Sequence, residues 1–121
     1  MEKKTLILGA SSNPSRYAYL AAERLKAKGL KFELLGNKSG EVFGQVISID
    51  PQTISKKIDT VTMYLGADNQ KQFEAFLLAL KPTRVIFNPG AENPTFALRL
   101  QEEGIETLEA CTLVMLGTGQ Y

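Results

Sequence analysis

Short apolar runs, each closed by glycine or a turn-forming residue, alternate along this chain with stretches of helical periodicity. Residues 5–8 read as a buried strand stopped by Gly9. Asn13-Pro14 predicts a helix start, an N-cap followed by proline in the first turn. Ala18, Ala21, Ala22 and Leu25 follow on one face, and Gly29 is the stop. Residues 32–35 form a second strand ended by Gly36. Residues 37–44 read as loop, with Val46-Ile47 as a short third strand. Asp50-Pro51 predicts another helix start, with Ile54 and Ile58 on one face. Residues 60–65 are rich in strand formers and end at Gly66. Asp68 is placed to cap a helix whose stripe is Phe73, Phe76, Leu77 and Leu80, stopped by Lys81-Pro82. Residues 84–87 form a further strand. Asn93-Pro94 opens a helix with Phe96, Ala97 and Leu100 inward and Gly104 as its stop. Residues 105–108 are the last predicted strand, and the apolar run 112–116 is expected to dock on the sheet.

Strand–helix alternation implies right-handed crossovers. The expectation is a three-layer α/β domain over residues 1–121, its mostly parallel sheet of five or six strands covered by helices on both faces. The strands are continuously apolar, as parallel strands buried on both faces must be. Ligands in such sheets sit outside the carboxyl ends of the strands, where strand order reverses. Those ends fall at 9–16, 36–38, 66–69 and 88–93.

Composition removes several chemistries. The chain of 121 residues has no histidine, so His-based acid–base catalysis, Ser-His-Asp triads and His-ligated zinc are excluded. No paired-carboxylate, Cys/His metal, Walker A or nucleophile-elbow pattern occurs. One cysteine, Cys111, forbids an internal disulfide and favours a reducing compartment. A net charge of +1 gives no overall field to attract nucleic acid or an anionic membrane, so an anion site must be local. The N-terminus lacks a signal-length apolar segment, and no run approaches membrane-spanning length. The expectation is a cytoplasmic protein.

The first loop, Gly9-Ala10-Ser11-Ser12-Asn13-Pro14-Ser15-Arg16, leads from the first strand into a helix N-terminus. Free amides and the positive end of the helix dipole favour a phosphate there. Ser11 and Ser12 add hydroxyls, and Arg16 adds a forked donor. The plainer reading is a good turn and cap. The G-x-G-x-x-G fingerprint is absent, with Ser11 and Pro14 standing where its second and third glycines belong. At the end of the second strand the acid expected for ribose hydroxyls is replaced by Lys38. A cation there suits a phosphorylated ribose, either NADP or coenzyme A. Gly66 and Asn88-Pro89-Gly90 close two more strands and permit close backbone approach. Tyr17 and Tyr19 are expected to pack. Cys111 reads first as an inert buried thiol, with a mixed disulfide to a bound pantetheine as the sharper alternative.

Taken in order, these segments resemble a known family. Gly9-Ala10-Ser11 and Asn13-Pro14-Ser15-Arg16-Tyr17-Ala18 are similar to the first loop of the small stand-alone CoA-binding proteins, which in turn resemble the CoA-binding domain of the succinyl-CoA synthetase alpha subunit. Residues 36–44, 59–66, 88–94 and 109–112 match in order, so the likeness spans the chain. It implies a Rossmann-like fold with coenzyme A as ligand. Gly9, Ala10, Ser11, Ser12, Arg16 and Lys38 would hold nucleotide and phosphates, while Gly66, Asn88 and Gly90 would line the rest of the groove. The chain departs from the family where many members carry Asn-Pro-Lys and it has Gly36-Asn37-Lys38.

The expected function is binding of coenzyme A or an acyl-CoA, as carrier, sensor or regulator, without evident catalytic machinery. The alternative is an NADP-dependent or other nucleotide-using small Rossmann enzyme, or a partner-binding subunit. Partners are expected to be the small-molecule ligand and another copy of the chain, with no nucleic acid or membrane.

Overall fold

The computed structural model describes residues 3–121. Five strands make the main sheet: β1 (Thr5–Leu8), β2 (Phe32–Leu35), β5 (Thr60–Met63), β6 (Arg84–Phe87) and β7 (Glu106–Glu109). Their order is β2-β1-β5-β6-β7, all parallel. Thr5 stands beside Phe32 on one side and Thr60 on the other. The order reverses between β1 and β5, which makes that gap the switch point of a doubly wound sheet.

Alternation along β1 sends its side chains to opposite layers. Leu6 and Leu8 join a core with Met63, Phe73, Leu77, Phe87, Phe96 and Leu100. That layer carries α2 (Ala67–Gln70), α3 (Glu74–Leu80) and α4 (Pro94–Glu102). Ile7 joins the other core, under α1 (Tyr17–Ala27) and α5 (Thr112–Gly117). The small Ala18, Ala21 and Ala22 bring α1 close to the sheet. The three-layer parallel α/β architecture matches the expectation.

Local details differ. Residues 37–44 are not all loop. Gly40–Val42 (β3) pairs antiparallel with Gln45–Ile47 (β4) in a two-residue hairpin. Its inner residues Val42 and Ile47 are buried against the α1 layer. Asn13-Pro14 does not begin α1, which starts at Tyr17 with Arg16 as its N-cap. Asn13 Oδ1 instead accepts from Ser15 N (3.0 Å) and Ser15 Oγ (2.8 Å), closing an Asx turn. Asp50-Pro51 yields only a 3-10 turn, Pro51–Thr53, because Ile54 is extended so that it and Ile58 can both enter the core. The helix after β5 is capped by Gly66, with Asp68 inside its first turn. A 3-10 turn at Lys71–Phe73 separates α2 from α3. No helix of the described residues is long and apolar enough to cross a membrane.

Candidate functional site

A cleft of about 500 Å³ opens at the carboxyl ends of β2, β1, β5 and β6. The first loop supplies Gly9, Ala10 and Ser11. The first turn of α1 adds Arg16, Tyr17 and Ala18. Asn37 and Lys38 come from the end of β2, Tyr64, Leu65 and Asn69 from the end of β5, and Pro89 from the end of β6. The cleft therefore straddles the switch point.

Gly9 makes this floor possible. Its φ is +94°, and a Cβ there would lie 3.1 Å from the backbone of Tyr64 and Leu65. Its amide and that of Ala10 both donate to Leu35 O, at 2.9 and 3.1 Å, turning the loop back over β2. Gly36 fits equally closely, since a Cβ would meet Ala10 O at 2.7 Å. Gly36 N donates to Ser48 O (2.9 Å) and Ser48 N to Leu34 O (3.0 Å), closing the base of the segment that carries Lys38.

Among the described residues, the amides of Ser11, Ser12, Tyr17 and Ala18 have no hydrogen-bond acceptor. Tyr17 and Ala18 are the first two residues of an eleven-residue helix, where the dipole favours an anion. Neither Arg16 nor Lys38 takes part in an ion pair among the described residues. The lining residues include two cations and no carboxylate. The donor set fits a phosphorylated ligand.

The structure brings Gly9, Ala10, Ser11, Arg16 and Lys38 together in this one cleft. Ser12, Gly66, Asn88 and Gly90 lie outside its lining. Ser12 is exposed and faces Gly40 of the hairpin. Gly66 caps α2. Gly90 (φ +91°) forms a turn in which its amide donates to Glu92 Oε1 at 2.9 Å. Asn88 is buried. Its Nδ2 donates to Thr62 Oγ1 (2.8 Å) and Met63 O (2.9 Å), and its Oδ1 accepts from Thr112 N (2.8 Å). It ties β5, the end of β6 and the start of α5 together.

Of the two early tyrosines, Tyr19 packs as expected, 5.1 Å from Phe43 between ring centroids. Tyr17 is 70% exposed on the rim of the cleft. Tyr64 and Leu65 line the cleft because β5 ends at Met63, two residues earlier than its strand-forming composition suggests. Burial pushes the Tyr64 phenol up to about 12, against the opposing pull of the Thr62 and Thr112 hydroxyls. Cys111 is half-buried, a free thiol at the N-cap of α5, and is not part of the lining. A second cleft, of about 540 Å³, lies between the first turns of α2 and α4. It is crossed by the Arg99–Glu74 ion pair at 2.6 Å.

Solved structures share this architecture. A crystal structure of an uncharacterized protein is 50% identical, covers 100% of this chain and 99% of its own, and superposes with a TM-score of 0.95. A cell-free protein from Thermus thermophilus is 23% identical, with coverage of 99% and 91% and a TM-score of 0.87. A hypothetical protein from Pyrococcus horikoshii OT3 is 20% identical, with coverage of 97% and 83% and a TM-score of 0.87. The last two speak to the fold alone. Comparison with curated proteins finds no match. Residues 3–117, nearly the whole chain, match the family described as a CoA binding domain. With its parallel sheet and its phosphate-suited cleft at the switch point, the chain belongs to the CoA binding domain family.

Proposed function

We propose that the cleft binds coenzyme A or an acyl-CoA, and that the protein acts as a carrier, sensor or regulator of that ligand. One observation supports this reading above the others: the acceptor-free amides of Ser11, Tyr17 and Ala18 and two unpaired cations, Arg16 and Lys38, belong to residues that line one cleft. Phosphate on a helix N-terminus needs such donors. In this reading Gly9, Ala10, Ser11, the Ser12 amide and Arg16 hold the pyrophosphate, and Lys38 holds the ribose phosphate. The pantetheine arm runs past Tyr64 and Pro89, with Gly66 and Gly90 in the neighbouring loops and Asn88 tying β5 to the end of β6.

The test is thermal unfolding and calorimetric titration with CoA, acetyl-CoA, NADP and NAD. A ligand that binds only the native state raises its stability by RT ln(1 + [L]/Kd). Coenzyme A is expected to stabilise the protein strongly. Lys38→Ala and Arg16→Ala are each expected to weaken binding about tenfold, as loss of a charge-assisted hydrogen bond does. An equal response to NAD and CoA would refute the proposal.

A further inference from the structure

The cleft's two cations stand on different elements. Arg16 belongs to the start of α1, while Lys38 lies on the segment that leads into the β3–β4 hairpin. Something must hold these elements in register. At the hairpin tip Phe43 has φ +51° and Gly44 has φ +81°. Two central residues at positive φ are what a type I′ turn requires, and such turns prefer Asn-Gly. A bulky aromatic is disfavoured at the first of these positions. Strained residues persist where their surroundings over-determine them, and they concentrate at ligand clamps.

Phe43 is half-buried against the α1-side core, and two of its contacts are with α1 itself. Its ring meets that of Tyr19, in the first turn, at 5.1 Å and a 45° tilt. Its carbonyl accepts from Lys26 Nζ, in the last turn, at 3.4 Å. On the cleft side of the same hairpin, Gly40 closes against Ser12 of the first loop. We propose that Phe43 and Tyr19 form a latch that seats the hairpin on α1, making Phe43 a positioning residue that fixes Lys38 relative to the helix N-terminus. This inference rests on the reading of the cleft as a coenzyme A site.

Phe43→Asn tests it, because Asn-Gly suits the turn better than Phe-Gly while the aromatic contact and the ring's packing on the α1-side core are lost. Three changes are expected. Amide exchange across residues 36–40 of the ligand-free protein becomes faster. Affinity for CoA falls about two- to tenfold, the equivalent of an aromatic pair. The preference for CoA over dephospho-CoA, which lacks the ribose phosphate, collapses toward one. Tyr19→Ala is expected to do the same, and the double variant to be no worse than either single one. If both variants keep wild-type exchange and wild-type discrimination while CoA still binds, the latch is refuted and Phe43 only packs. If wild-type protein ignores CoA, the ligand reading fails, and exchange at 36–40 alone decides the latch.

Discussion

Tyr64 carries the one buried side-chain polar atom of the described residues that has no hydrogen-bond partner. The hydroxyls nearest it, Thr62 and Thr112, are engaged with each other at 2.7 Å, and Asn88 engages Thr62 as well. An unsatisfied buried hydroxyl costs about 1–3 kcal/mol. Tyr64→Phe is therefore expected to stabilise the ligand-free protein by about 1 kcal/mol, read from urea unfolding at pH 7. The same phenol sets an alkaline limit. Its neutral form is the folded one, with the pKa raised from 10.0 to about 12. The unfolded chain then loses the proton first, so this phenol's contribution to stability is constant below pH 10 and is lost between pH 10 and 12. Tyr121 is raised as well, chiefly by burial, and adds to the same slope. Tyr64→Phe should shrink that alkaline slope without abolishing it, and an unchanged slope would count against the buried phenol. None of this was legible in the sequence, where Tyr64 reads as one more strand residue.

At the scale of elements, Asn-Pro occurs at both 13–14 and 93–94 and has two outcomes. Asn93 Oδ1 accepts from Phe96 N at 3.2 Å and caps α4, as the dipeptide predicts. Asn13 bonds to Ser15 instead, because a hydroxyl two residues on offers a competing donor. The helix is delayed to Tyr17, and its first two residues, whose amides are unused, line the cleft. Asn93→Ala should cost about 1–2 kcal/mol in chemical denaturation, since it removes the cap and the 2.9 Å bond from Asn93 Nδ2 to Gln70 Oε1. Asn13→Ala disturbs a surface turn, so its cost should be smaller. The hairpin at 40–47 escaped the sequence reading for a related reason. Its turn is Phe43-Gly44 rather than Asn-Gly, and its strands are only three residues long.

Across the whole molecule, β1, β5 and β6 are each paired on both sides, and the α2–α4 and α1–α5 layers cover the sheet's two faces. Their amides should exchange only through opening events that approach global unfolding, while β7, an edge strand with both glutamates exposed, exchanges sooner. Amide exchange followed by mass spectrometry checks this, and protection of β7 equal to that of β1 would contradict it. The sequence alone determined the five strands of the main sheet and their parallel layering. Continuous apolar runs and glycine stops are short-range signals, carried by a few neighbouring residues. Which strand ends would share a cleft was decided only by the tertiary structure. Lys38 and Tyr64 share a cleft with Arg16 because the crossovers set β2 and β5 on either side of β1. Asn88 and Gly90, equally plausible from turn chemistry, fall outside the lining: buried hydrogen bonds had already committed one, and a local turn the other. Strand order and the satisfaction of buried polar groups are long-range conditions, and a local pattern does not encode them.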